Sequence, residues 1–369
     1  MIIGFDGSRA FLGERSGTEN YSFQLLRALS KIDKTNQYII YIRPQPITYT
    51  IVDHIGKLSD NFQFKVINWP RLWTQGGLAA RTFTDKLDVL FIPAHTLPVV
   101  RKPGLKTVVT VHDLGSEYLP RMHQVKQRLY LSFMQKVQLQ GATKIIAVSK
   151  ATQNDLVKKI GLDPHKISVI YEGFDKQSFS SNKQSFSSNK DLFKPVKKEK
   201  NYFLFVGTVQ PRKNLGRIIK AISCTKENLV IVGQKGWLSD EIYALPKKLG
   251  IENRVKFLGY LPDEKLPALY LGAIALVFPS LFEGFGLPIL EAQASGCPII
   301  TSNVSSMPEV AGKGAILIDP YNIDEIVNAM IKVQDEKIRG QLIRAGFENI
   351  KRFSWEKCAV QTLKVFEEL

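Results

Sequence analysis

Short apolar runs punctuate the chain, and each is followed by a longer stretch in which apolar residues recur at helical spacing. In the first half the runs are "MIIGFD" (1–6), "QYIIYI" (37–42), "DVLFIP" (88–93), "KTVVTVHD" (106–113) and "KIIAVS" (144–149). In the second half come "YFLFVG", "LVIVG", "RVKFLG", "AIALVFPS", "PIITS" and "AILID". Runs that are apolar on both faces and alternate with helices predict parallel sheets covered on both sides. Many end in Gly, Asp, Ser or Pro, as the turns from strand to helix do. Two such series in 369 residues predict an α/β protein of two doubly wound, Rossmann-like domains.

Between the two series the heptapeptide KQSFSSN occurs twice in tandem, at 176–182 and 183–189. One Phe in seven residues cannot build a coiled-coil seam, and Ser, Asn and Lys favour a flexible connection. The expected division is therefore 1–175, a linker over 176–198, and 199–353. The chain closes with "FSWEKCAVQTLKVFEEL", where Ser354 suits the cap of an amphipathic helix with Glu356 and Lys357 in its first turn.

Composition narrows the class. Apolar residues make up 44%, as in a globular protein, and no run approaches the ~20 residues of a membrane-spanning helix. Asp6 and Arg9 fall where a signal peptide would need its apolar core, which argues for the cytoplasm. Cys224, Cys297 and Cys358 are widely spaced and form neither a disulfide frame nor a zinc motif. Fifty Lys and Arg against 34 Asp and Glu give a net charge of +16, which favours anionic partners: phosphate ligands, an anionic membrane or nucleic acid. No nucleic-acid motif accompanies the charge. Part of it falls in 116–150, where Glu117 is the one carboxylate against six basic residues. Within that stretch "VKQRLYLSFMQKVQL" has helical spacing, and a solvated basic face or contact with anionic lipid explains it equally well.

The stretch "FPSLFEGFGLPILEAQASGCPII" (278–300) carries the chemistry. "AIALVFPS" reads as a buried strand and "LPILEAQAS" as a helix, with Pro288 at its first position and Gly296 at its stop. "LFEGFG" is then a turn at the carboxyl edge of a parallel sheet, where such folds bind ligands. Amides of Phe285, Gly286 and Leu287, with the positive end of the helix behind them, suit a diphosphate. Glycines 284 and 286 let backbone approach it closely. Glu291 is expected in the first helical turn and Glu283 just before the turn, and carboxylates accept hydrogen bonds from sugar hydroxyls. Amides for phosphate beside carboxylates for sugar describe a nucleotide-sugar site. The plain alternative makes Glu291 a partner of the helix dipole and Glu283 a solvated loop residue. A dinucleotide G-x-G-x-x-G is excluded because position 289 is Ile. "GTVQPRKN" begins at Gly207 after a strand, and its Arg212 and Lys213, at a helix start, suit a diphosphate leaving group. His112 ends the strand "KTVVTV", a place as suited to a structural hydrogen bond as to a ligand. No His/Cys cluster or Asp-x-Asp pair has ligand spacing, so neither a metal nor another cofactor is expected.

"FEGFGLPILEAQASGCPIITSN" resembles the E-x7-E segment of retaining glycosyltransferases with the GT-B fold, family four. "GTENYSFQLLRAL", "VVTVHDL", "IIAVSKATQNDL", "ISVIYEGFD", "YFLFVGTVQPRKNLGRIIKA", "LVIVGQKGW", "VKFLGYLP" and "SSMPEVAGKGAILIDPYNIDEI" agree with it in order. The resemblance implies a donor held mainly by the second domain, an acceptor on the first, and a cleft between them. It implies that the final helix, 354–369, returns to the first domain. Glu283, Arg212, Lys213 and His112 take catalytic places; Gly17, Gly207, Phe285, Gly286, Leu287 and Glu291 take donor-binding ones. Many relatives carry Arg where Thr208 stands, and only Gly17 is clear of the usual glycine pair, with Gly13 earlier. The wording is closest to mannosyltransferases of polysaccharide assembly, so GDP-mannose is the expected donor and a saccharide or lipid-linked saccharide the expected acceptor. A UDP-sugar transferase, a GT-B epimerase, a phosphorylase and a sugar-nucleotide-binding protein are the alternatives. The expected location is the cytoplasm, with peripheral contact at the inner membrane face as an option.

Overall fold

The computed structural model describes residues 1–11, 17–44, 58–94, 96–114, 136–179 and 201–369. The described chain divides into two compact units, Met1–Gly173 with Phe353–Leu369, and Phe174–Arg352.

Unit 1 holds a seven-stranded sheet in the order β3-β2-β1-β4-β5-β6-β7. Its strands are β1 (Ile2–Asp6), β2 (Gln37–Ile42), β3 (Phe62–Val66), β4 (Val89–Ile92), β5 (Lys106–Val111), β6 (Lys144–Ala147) and β7 (Ile167–Val169). All pair in parallel. The central strands are buried on both faces, as their continuous apolar runs predict. Two edge strands escaped the sequence pattern. "FQFKV" exposes most of its residues, and "ISV" is only three residues long. Helix α1 (Gly17–Ile32) buries Tyr21, Phe23, Leu25, Leu26 and Leu29. The closing helix, labelled α4 below (Trp355–Glu367), packs on α1, and Ser354 caps it by accepting from the Lys357 amide at 3.1 Å.

Unit 2 holds a six-stranded parallel sheet in the order β10-β9-β8-β11-β12-β13. These are β8 (Tyr202–Val206), β9 (Asn228–Val232), β10 (Val255–Gly259), β11 (Leu276–Phe278), β12 (Ile299–Ser302) and β13 (Ile316–Ile318). The chain winds outward from β8 to β10 on one side and from β11 to β13 on the other. The order therefore reverses between β8 and β11, and ligands bind outside the carboxyl ends of strands at such a point. Two helices set the site: α2 (Leu215–Ser223) and α3 (Leu287–Ala294).

The linker begins differently from its expected flexible form. Residues Lys176–Phe179 form a helical turn, Phe179 is 5% exposed, and its ring meets Tyr270 edge-on at 6.2 Å. A Phe in an otherwise polar repeat has apolar area to bury, and unit 2 buries it. The rest of the linker lies outside the described residues, as do Gly13 and most of the basic stretch 116–150.

Candidate active site

The loops leaving β8 and β11 meet at the reversal point of unit 2. After β8 comes Gly207, at φ +145°, a conformation that side chains resist. Residues Pro211–Lys213 then make a 3-10 turn, so Arg212 and Lys213 precede α2 rather than lie within it. Asn214, buried and at φ +64°, donates to the carbonyls of Pro279 (3.0 Å) and Pro320 (2.7 Å). The Leu281 amide donates to the Arg212 carbonyl at 2.9 Å. These bonds fix the loop from β8 against the turn that follows β11.

Within that frame Glu283 joins the two basic residues. Arg212 Nη1 donates to Glu283 Oε2 at 2.8 Å and to the Phe282 carbonyl at 3.0 Å, and Lys213 Nζ donates to Glu283 Oε1. Glu283 and Lys213 are only 6% and 8% exposed. Burial alone would raise the Glu283 pKa. The Lys213 ammonium and the Arg212 guanidinium overcome it and hold the carboxyl at about 2, below its ordinary 4.5. The cluster therefore keeps one net positive charge across the physiological range. Its backbone is equally fixed. Ser305 and Ser306 hydroxyls donate to the Glu283 carbonyl at 2.6 and 2.9 Å, and Ser306 also reaches the Phe285 carbonyl at 2.8 Å.

Gly286, at φ +109°, turns the chain into α3, which carries Pro in its first turn. Gly286 and Leu287 are part-exposed at this end, whereas Phe285 is buried. Glu291 falls one turn later than expected, at the fifth helical residue. It is half-buried, accepts a 2.8 Å bond from the Tyr270 hydroxyl, and has its pKa raised to about 7 by burial, with Asp263 adding to the rise. Glu283 and Glu291 thus differ in kind: one a fixed anion tied to two cations, the other a carboxyl near its midpoint at neutral pH.

In unit 1, His112 follows β5 and is buried, with Nδ1 3.0 Å from Glu172 Oε1 and Nε2 2.9 Å from the Pro93 carbonyl oxygen. Both ring nitrogens are engaged inside the unit. Gly17 is the first residue of α1, and a Cβ there would meet nothing within 4 Å. Ser149 caps the following helix, accepting from the Thr152 amide at 3.0 Å. No group of three or more His, Cys, Asp or Glu residues able to hold a metal ion occurs among the described residues.

Two partnerships escaped the sequence. Glu283 lies 70 positions from Lys213, and Glu172 lies 60 from His112. A hint was present for the first: basic residues at a helix start oppose the dipole and ask for a carboxylate.

The sequence matches the family description "Glycosyltransferase Family 4" over residues 15–178 and "Glycosyl transferases group 1" over 187–349. It is 32% identical over 276 residues to the O-antigen chain mannosyltransferase B of Escherichia coli, covering 72% of this chain and 71% of that one. It is 29% identical over 270 residues to the O-antigen chain mannosyltransferase RfbU of Salmonella typhimurium, covering 70% and 69%. Among solved structures, sucrose-phosphate synthase from Thermosynechococcus elongatus superposes with a TM-score of 0.79 at 19% identity, covering 100% of this chain and 98% of that one. Anabaena HepE, in complex with UDP and glucose, gives 0.77 at 20%, with both chains fully covered. Two doubly wound domains with these neighbours are the GT-B fold, and the chain belongs to the group 1, family 4 glycosyltransferases.

Proposed function

We propose that this glycosyltransferase moves mannose from GDP-mannose, with retention of anomeric configuration, to a saccharide or lipid-linked saccharide acceptor. The observation that carries the reading is the buried Arg212–Glu283–Lys213 cluster at the reversal point of unit 2. Its net positive charge, from Arg212 and Lys213 before α2, lies against the turn that leads to the α3 N-terminus, and both suit a diphosphate. This charge does the work that a divalent cation does in other transferases, so transfer proceeds without metal. Glu291 takes the sugar hydroxyls in its ionised form, and His112 in unit 1 is assigned a catalytic part.

Neither glutamate suits a covalent nucleophile, because Glu283 is tied to two cations and Glu291 is largely protonated below pH 7. In the reading favoured here, the bond from the anomeric carbon to the diphosphate oxygen breaks while the acceptor oxygen bonds to the same face. The acceptor proton passes to the departing diphosphate.

The donor choice draws on the names of the two mannosyltransferase relatives. A UDP-sugar is the second reading. A relative from Escherichia coli, 29% identical over 270 residues, is named a UDP-Gal:alpha-D-GlcNAc-diphosphoundecaprenol galactosyltransferase. Its name also supports a lipid-linked acceptor. Such an acceptor would bring unit 1 to an anionic bilayer through the basic stretch 116–150; Lys136 and Lys150 within it are exposed. No described helix is long and apolar enough to cross a membrane. A panel of nucleotide sugars, read by nucleoside-diphosphate release, tests the assignment: GDP-mannose should be turned over fastest. Faster release from a UDP-sugar would favour the second reading.

A further inference from the structure

The His112–Glu172 pair has no part in the transfer step just described, yet its geometry fixes a protonation state. Glu172 Oε1 lies 3.0 Å from Nδ1 and the Pro93 carbonyl oxygen 2.9 Å from Nε2. A carboxylate and a carbonyl can only accept. A neutral imidazole has one N–H, so one of these contacts would set lone pair against lone pair. An imidazolium donates to both. Ring and carboxylate are 8% and 4% exposed, so bulk water scarcely reaches the pair.

The surroundings support the charged ring. Tyr21, from α1, stands edge-on to it with centroids 4.6 Å apart, and its hydroxyl pairs with Thr110 at 3.3 Å. Thr152 donates to the His112 carbonyl at 3.3 Å, and Asp113 adds negative charge beside the ring. From α4, Cys358 packs near Tyr21 as a thiol that burial pushes up to about 12, so it adds no charge at neutral pH. Burial disfavours the imidazolium, but the Glu172 carboxylate, the Pro93 carbonyl and Asp113 outweigh it and raise the His112 pKa.

We propose that Glu172 is a positioning residue that keeps His112 doubly protonated, so the carboxyl end of β5 presents a fixed imidazolium rather than a base. This rests on the donor reading above, in which His112 has a catalytic part. The ring therefore takes no proton from the acceptor. Losing its own proton would free it from one of its two anchors and slow transfer.

The test uses full-length protein with 15N-labelled histidine, His112 being assigned by comparison with His112→Gln. Long-range proton–nitrogen correlations should show both ring nitrogens protonated from about pH 6 to about pH 8. In Glu172→Gln the ring should lose its proton at lower pH, and Glu172→Asp should restore the original titration. The kcat for GDP release from GDP-mannose should fall in Glu172→Gln as pH rises through the range where the ring deprotonates. It should recover on acidification and in Glu172→Asp. A neutral His112 at pH 7 in the unaltered protein would overturn the proposal, and that measurement stands even if Glu172→Gln fails to fold. A Glu172→Gln profile that superimposes on the original, although the ring titration has moved, would reduce the pair to a structural contact. Absence of GDP release from the unaltered protein would count against the donor reading and leave the ionisation result intact.

Discussion

Replacing Glu283 by Gln removes the anion that holds Arg212 and Lys213 in place, and the structure sets the size of the effect. The carboxyl is held at about 2 against an ordinary 4.5. At about 1.4 kcal/mol per unit this corresponds to about 3 kcal/mol of folding stability at neutral pH. Removing one side of a buried pair costs about 3–5 kcal/mol in comparable cases, so the two routes agree. Because the folded-state value is depressed, the stabilisation is complete above about pH 5 and fades as pH falls towards 2. Urea unfolding of unit 2 can be followed by Trp237, the one tryptophan between 174 and 352. Glu283→Gln should be less stable by about 3 kcal/mol at pH 7, and the gap should narrow by about 1 kcal/mol at pH 3.5. GDP should bind at least as tightly as before, because the cluster gains net positive charge, while turnover falls. A variant as stable as the parent at pH 7, or a gap independent of pH, would refute the assignment of Glu283 as the anchor of the cluster.

Lys213→Ala and Glu291→Ala should each lower turnover about 10²–10³-fold with the circular dichroism spectrum unchanged, and near-normal turnover in either would contradict the site. Glu291, with its pKa at about 7, accepts sugar hydroxyls through both oxygens and more strongly when ionised, so kcat/KM for the donor should rise with pH through about 7. A flat profile between about pH 6 and pH 8 would remove Glu291 from the sugar. Deleting residues 183–189, the repeat copy that leaves the buried Phe179 in place, should change stability by under ~1 kcal/mol. A large fall in melting temperature would show that this copy is packed.

Much of this fold was legible because parallel strands buried on both faces leave uninterrupted apolar runs, and eleven such runs became strands at their expected places. The two missed strands lie at sheet edges, where the burial that writes the pattern is partial or the strand too short to show one. Pro288, Gly286 and Gly296 marked α3 because each meets a local backbone need, and local needs are written in adjacent residues. The partners of Glu283 and His112 were not legible, since they depend on which strands the topology brings together. The early part of the linker misled because a polar composition conceals Phe179, which is buried against Tyr270 in unit 2.

In the proposed site Arg212 and Lys213, anchored by Glu283, hold the donor diphosphate without a metal ion. Titration calorimetry of GDP into the full-length protein in the presence of EDTA measures this contact. The parent should bind, and Lys213→Ala should bind about 10–100-fold more weakly, the loss expected for one charge-assisted contact. Equal affinity in parent and variant, or binding that vanishes with EDTA and returns with magnesium, would contradict it.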